Sequence, residues 1–75
     1  MQYALIIHRA EEGGYWAEVP ALDGCFAQAE TIDDLLEDAR DAILSHLEAL
    51  AADGQSPPSD DTVLIATVNL DRSVA

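Results

Sequence analysis

The sequence predicts an α+β fold of order β-β-β-α-β: an antiparallel three-stranded meander, one long helix over one face of the sheet, and a fourth strand after the helix. Three observations carry this. Period-two alternation governs the chain before Thr31, where Tyr15, Ala17 and Val19 alternate with Trp16 and Glu18. The period changes at Thr31, after which Ile32, Leu35, Leu36, Ala39, Ala42, Ile43, Leu47 and Leu50 fall mostly three or four positions apart, giving one apolar helical stripe. It changes back at Thr62, since residues 62–70 are nearly all β-branched or apolar.

The first strand is expected over residues 3–8. Tyr3, Leu5 and Ile7 face one way and Ala4, Ile6 and His8 the other, and both sets are apolar near the middle, as in a strand with two covered faces. Residues 9–14 are polar and end in Gly13-Gly14, which suits a hairpin loop. The second strand starts at Tyr15 and stops at Pro20, which has no N–H for a ladder bond. Leu22-Asp23-Gly24 makes a turn, because glycine takes positive φ without steric cost. The third strand runs over 25–29. The helix is expected from Thr31 to about Asp53. Thr31 is its N-cap, Asp33 and Asp34 suit the positive end of its dipole, and Asp34 takes the place of Glu in a capping box. Gly54 is placed to close it in a left-handed conformation, and Pro57-Pro58 prevents its continuation.

With 75 residues the chain reads as one domain, 1–75. A chain of that size buries only about 60% of the surface its unfolded form exposes, so self-association as a homodimer or higher oligomer is expected. The apolar fraction of 49% is enough for a core. No apolar run approaches the ~20 residues of a membrane span, and the start, Met1-Gln2-Tyr3, lacks a basic n-region. One cysteine cannot staple the fold, which places the chain in a reducing cytoplasm. Fifteen acidic residues against three basic ones give a net charge of -12, the reverse of what phosphate contacts need, so direct nucleic-acid binding is not expected. A basic protein partner suits this charge, and so does plain solubility.

No constellation of catalytic residues emerges. Asp33, Glu37 and Asp41 share one helix face beside Asp34 and Asp38; the alternatives are a divalent-metal site and a solvated face, and the solvated face is the reading adopted. Like charges at i, i+4 cost a few tenths of a kcal/mol each, a repulsion that a basic partner would relieve. A nuclease built on the same β-β-β-α-β beginning needs a metal-binding carboxylate on its first strand, and residues 3–8 contain none. His8 and His46 lie on different elements and read as a surface and a helix-flank histidine. Cys25 has no neighbouring base and reads as a small core residue. The chain is therefore expected to be no enzyme and to hold no metal or cofactor. Trp16 shares a face with Glu18, opposite Tyr15, Ala17 and Val19. It either anchors a partner on the open side of the sheet or packs on Ile6. The candidate partner-binding residues are Glu11, Glu12, Trp16, Glu18, Asp34 and Asp38.

The run Tyr15-Trp16-Ala17-Glu18-Val19-Pro20-Ala21-Leu22-Asp23-Gly24-Cys25-Phe26, followed by Gln28 and Thr31-Ile32-Asp33-Asp34, resembles the signature of the HicB family of antitoxins. The resemblance spans about residues 3–50 and also fits the expected fourth strand. Asp23, Ala29 and Leu35 stand where that family often has Pro, Gly and Ala. The resemblance implies a degenerate RNase-H-like fold without nuclease activity. It also implies a partner, a small basic mRNA-cleaving toxin of the HicA type, whose active surface the antitoxin covers. Many members of the family add a DNA-binding domain, which residues 1–75 do not contain, so operator binding is not expected of them. The alternative is a stand-alone self-associating module with an unknown ligand and no toxin.

Overall fold

A computed structural model describes residues 1–62 and 65–70. Strands β1 (Ile6–Arg9), β2 (Tyr15–Glu18) and β3 (Phe26–Ala29) form one antiparallel sheet in the order β1-β2-β3, followed by the helix α1 (Ile32–Ala52). The register pairs His8 with Trp16 and Ala17 with Ala27. The three-stranded meander and the long helix are those the sequence predicts.

The connections explain why the chain turns where it does. Ala10 N–H donates to Gly14 C=O at 3.0 Å and closes the first hairpin. Gly14 is required there: its φ is +76°, and a Cβ would stand 2.6 Å from the Ala29 carbonyl oxygen of β3. In the second connection Leu22 N–H donates to Val19 C=O and Cys25 N–H to Leu22 C=O. Thr31 caps α1 by accepting from Asp34 N–H on Oγ1 at 3.2 Å, the forward half of the predicted box. At the other end Gly54 (φ +75°) donates to Ala51 C=O and Gln55 N–H to Leu50 C=O, a Schellman closure.

The helix packs over β2 and β3 and does not extend over β1. Between the layers lie Ala17, Leu35 and Ala39, with a cluster of Val19, Leu22 and Cys25 at the end where Tyr3, Leu5, Ile43 and Leu47 close in. Cys25 is thus a core residue, and burial pushes its thiol pKa up, away from a reactive thiolate.

Two expectations are corrected, and a third is not met among the described residues. The first strand begins at Ile6 rather than at residue 3. The register carries Ala4 to the position opposite Pro20, which has no N–H to return, and the Asp60 carboxylate accepts the Ala4 N–H instead. The apolar stripe is not uniformly core: Leu35 is fully buried, whereas Leu36 is 47% and Ile32 39% exposed, because the helix leaves β1 uncovered. The fourth strand, expected over 62–70, is not among the ladders. Residues 62 and 65–70 carry no strand pairing, with Val68 and Leu70 strongly exposed, and residues 63 and 64 lie outside the described residues.

Candidate partner-binding surface

Side chains alternate across a strand, so the positions that do not meet the helix form an open face. On it stand Ile6 and His8 from β1, Trp16 and Glu18 from β2, and Phe26 and Gln28 from β3. Cross-strand pairing sets His8 on Trp16, with ring centroids 4.1 Å apart and planes within 19°. His8 Nε2–H donates to Glu18 Oε2 at 3.0 Å, which fixes the imidazole over the indole. Phe26 tilts against the other side of Trp16, centroids 6.2 Å apart, and is itself 59% exposed. The result is a flat aromatic row with one carboxylate held at its margin. Toward the first hairpin the sheet gives way to a shallow concavity in which Glu11, Glu12 and Glu30 surround Trp16 and Phe26. Exposed aromatic area ringed by charge is the composition of an interface centre and its rim.

Four of the six predicted residues come together here: Glu11, Glu12, Trp16 and Glu18. Asp34 and Asp38 do not join them. Both are exposed on α1, in the layer that packs against the opposite face of the sheet. Trp16 stands on the face of the sheet away from the helix, where its ring neighbours are His8 and Phe26. Sequence reasoning treated His8 as a lone surface histidine and passed over Phe26. The hairpin register held the missing signal, since pairing Arg9 with Tyr15 carries His8 opposite Trp16. Among the described residues, no group of three or more His, Cys, Asp or Glu side chains is arranged to hold a metal ion. No helix among them is long and apolar enough to cross a membrane.

The family described as HicB_like antitoxin of bacterial toxin-antitoxin system is matched over residues 3–72. A UPF0150 protein of Thermoplasma acidophilum is 38% identical over 61 residues, which are 81% of this chain and 88% of that protein. A UPF0150 protein of Synechocystis is 41% identical over 59 residues, 79% of this chain and 81% of the relative. Antitoxin HicB 1 of Photorhabdus laumondii is 31% identical over 75 residues, 100% of this chain but 48% of the antitoxin. A solved HicA3 and HicB3 toxin-antitoxin complex contains a chain that superposes with a TM-score of 0.70 at 33% identity, over 84% of this chain and 72% of that one.

Proposed function

The chain belongs to the HicB-like antitoxin family, and from that membership we propose that it binds and neutralises a small basic ribonuclease toxin of the HicA type, using the open face of its sheet. The observation that carries the proposal is the aromatic row of His8, Trp16 and Phe26 set between Glu18 and the acidic hairpin. A ribonuclease presents Lys and Arg to phosphates, so an acidic rim competes for the same groups. Trp16, held in place by His8 and backed by Phe26, is the buried anchor of the complex. Glu11, Glu12 and Glu18 meet the toxin's cations. Asp34 and Asp38, in the other layer, add to the attractive field of a chain of charge -12 without touching the partner. The chain acts by occupying a surface, as a non-enzymatic regulator in the cytoplasm.

Association kinetics with a small basic protein of the HicA type, sought in the reading frame next to this one, test this. Trp16→Ala should mainly speed dissociation, because an anchor holds a complex once formed. The double change Glu11→Lys and Glu12→Lys should slow association and flatten its salt dependence, which is otherwise steep as the Debye length falls from ~30 Å at 0.01 M to ~8 Å at 0.15 M. Asp34→Lys with Asp38→Lys should slow association less than the hairpin pair. A complex indifferent to Trp16 but broken by the helix pair would place the interface on α1 and overturn the assignment.

A further inference from the structure

We propose that the open face selects arginine over lysine in its partner: a guanidinium lies flat on the ring of Phe26 with its N–H groups on the Glu18 carboxylate, which His8 holds in place; this deepens the toxin-binding role given to that face and rests on it. Glu18 pairs directly across the ladder with Phe26 on one side and with Ile6 on the other. Such partners hold their Cβ atoms about 4.5–5.5 Å apart, close enough for one side chain to lie over both. Phe26 is the ring whose face a ligand can reach. Trp16 has His8 stacked on it, centroids 4.1 Å apart, and Phe26 tilted against it at 6.2 Å and 51°, so it presents mainly an edge. The edge of an aromatic ring is its positive rim, whereas the face is negative and attracts a cation. Phe26, at 59% exposure, keeps a face for that purpose.

The carboxylate beside it has acceptor sites left to fill. The bond from His8 Nε2–H falls on Oε2, and the described residues give Glu18 no other hydrogen bond. A carboxylate offers about four lone-pair sites, and the Glu18 side chain is 37% exposed. His8 therefore uses one site to orient the rest. As a neutral ring it does so without cancelling the charge of Glu18, which makes it a positioning residue.

This pairing of a ring face with a tethered carboxylate separates two cations that a net charge of -12 attracts alike. Guanidinium is planar and weakly hydrated, and it carries a fork of N–H groups that matches two carboxylate oxygens while its plane stacks on an aromatic face. Ammonium is a compact, strongly hydrated point charge that reaches the carboxylate without stacking. Glu11, Glu12 and Glu30 at the rim draw in either one, so discrimination falls to Glu18 and Phe26.

Protonation of His8 should weaken the selection, because imidazolium becomes the counter-ion of Glu18 and puts a positive charge beside the site. Of the elements around His8, β2 supplies Glu18, the hairpin supplies Glu11 and Glu12, and β3 supplies Phe26 and Gln28, which do not titrate. Arg9 alternates to the other face of β1, and His46 lies on α1 in the other layer. The preference is thus full where the imidazole is neutral and shrinks as it gains a proton.

The chain has a single tryptophan, so the fluorescence of Trp16 follows binding at this site without a label. The probes are two capped, glycine-spaced peptides of equal length and charge, one of arginine and one of lysine, added at low salt. At about pH 8 the arginine peptide should bind about threefold to tenfold more tightly. Glu18→Gln and Phe26→Leu should each bring the two peptides close to parity, whereas Glu11→Gln should weaken both by the same factor; circular dichroism of each variant should match that of the unmodified chain. At about pH 5.5 the preference should shrink in the unmodified chain and persist in His8→Gln, whose amide still donates to Glu18 but does not titrate. Equal binding of the two peptides at the higher pH, binding of neither, or a preference that survives either Glu18→Gln or Phe26→Leu would overturn the assignment. A preference indifferent to pH in the unmodified chain would overturn the part given to His8. A HicA-type protein held as tightly after its arginines are changed to lysine would refute arginine selection and leave toxin binding standing, whereas peptide discrimination by a chain that captures no such protein would do the opposite.

Discussion

Two adjacent leucines give the sharpest test of how the helix lies on the sheet. Leu35 is 0% exposed and Leu36 47% exposed, although both fall in the same apolar stripe. Truncating a fully buried leucine removes its transfer free energy and leaves a cavity, a loss of about 2–5 kcal/mol. Leu35 sits between the layers with Ala17 and Ala39, small residues that cannot expand into the space, so the upper half of that range is expected. Full burial of a leucine is worth about 1.5–3 kcal/mol, so half burial of Leu36 corresponds to about 1 kcal/mol, and its site opens to water rather than leaving a void. A domain of 75 residues is stable by about 4–11 kcal/mol. Leu35→Ala therefore removes a large share of the stability, whereas Leu36→Ala lowers the melting temperature by about 4–8 °C. Urea and thermal unfolding followed by circular dichroism at low micromolar concentration read both. Equal losses at the two positions would mean that α1 is rotated about its axis relative to the sheet.

Other positions test separate links. Thr31→Ala should cost about 1 kcal/mol by leaving the Asp34 N–H without its cap, and Thr31→Ser should restore most of it in the same melts. Gly14→Ala is expected to destabilise by several times that amount, because positive φ is unfavourable for alanine and its Cβ would press on the Ala29 carbonyl; unchanged stability would mean the hairpin adopts another turn. Asp60 titrates below the usual carboxylate value because Ala4 N–H, and then Thr62, donate to its charged form. A carboxyl whose folded pKa is depressed contributes stability above its unfolded pKa of about 3.9 and loses it as pH falls through the folded value. The Ala4 amide should therefore keep its chemical shift from neutral pH down to the ordinary carboxylate range and move only below it, and Asp60→Asn should abolish that acid transition. An Ala4 signal that titrates with an ordinary carboxylate, or not at all, would mean that the clasp is absent.

Local chemistry makes most of the fold legible in the sequence. Thr31, Gly54 and Pro20 end or begin elements through bonds they make or cannot make with their own neighbours, and α1 keeps to within one residue of its predicted limits. The misplaced features all depend on which surface reaches which. Leu35 and Leu36 satisfy the same periodicity, and only the position of α1 over β2 and β3 separates them. The composition of residues 62–70 says strand with equal force whether or not a partner edge is available, so it carries no information about where the pairing comes from. The candidate surface divides in the same way. Trp16 and Glu18 share a face because they are two residues apart on one strand, which sequence reveals. Asp34 and Asp38 were grouped with them by charge alone, and charge does not say on which side of a sheet a helix packs.

That separation of layers bears on how a chain this small meets a partner. His8, Trp16 and Phe26 face away from α1, while Leu5, Leu36 and Leu44 line an apolar groove on the helix side, so an occupant of one surface does not overlap an occupant of the other. Their chemistries differ as well. The open face combines aromatic area with carboxylates and suits a cation-rich protein that arrives along an electric field. The groove is lined mainly by apolar side chains and offers burial instead. Steering acts on the association rate and is screened by salt, whereas the hold of Trp16 on a pocket is not. Raising the salt should therefore slow capture of a basic toxin by the open face and leave its dissociation rate nearly unchanged, and a dissociation rate that climbs steeply with salt would mean that charge rather than Trp16 holds the complex.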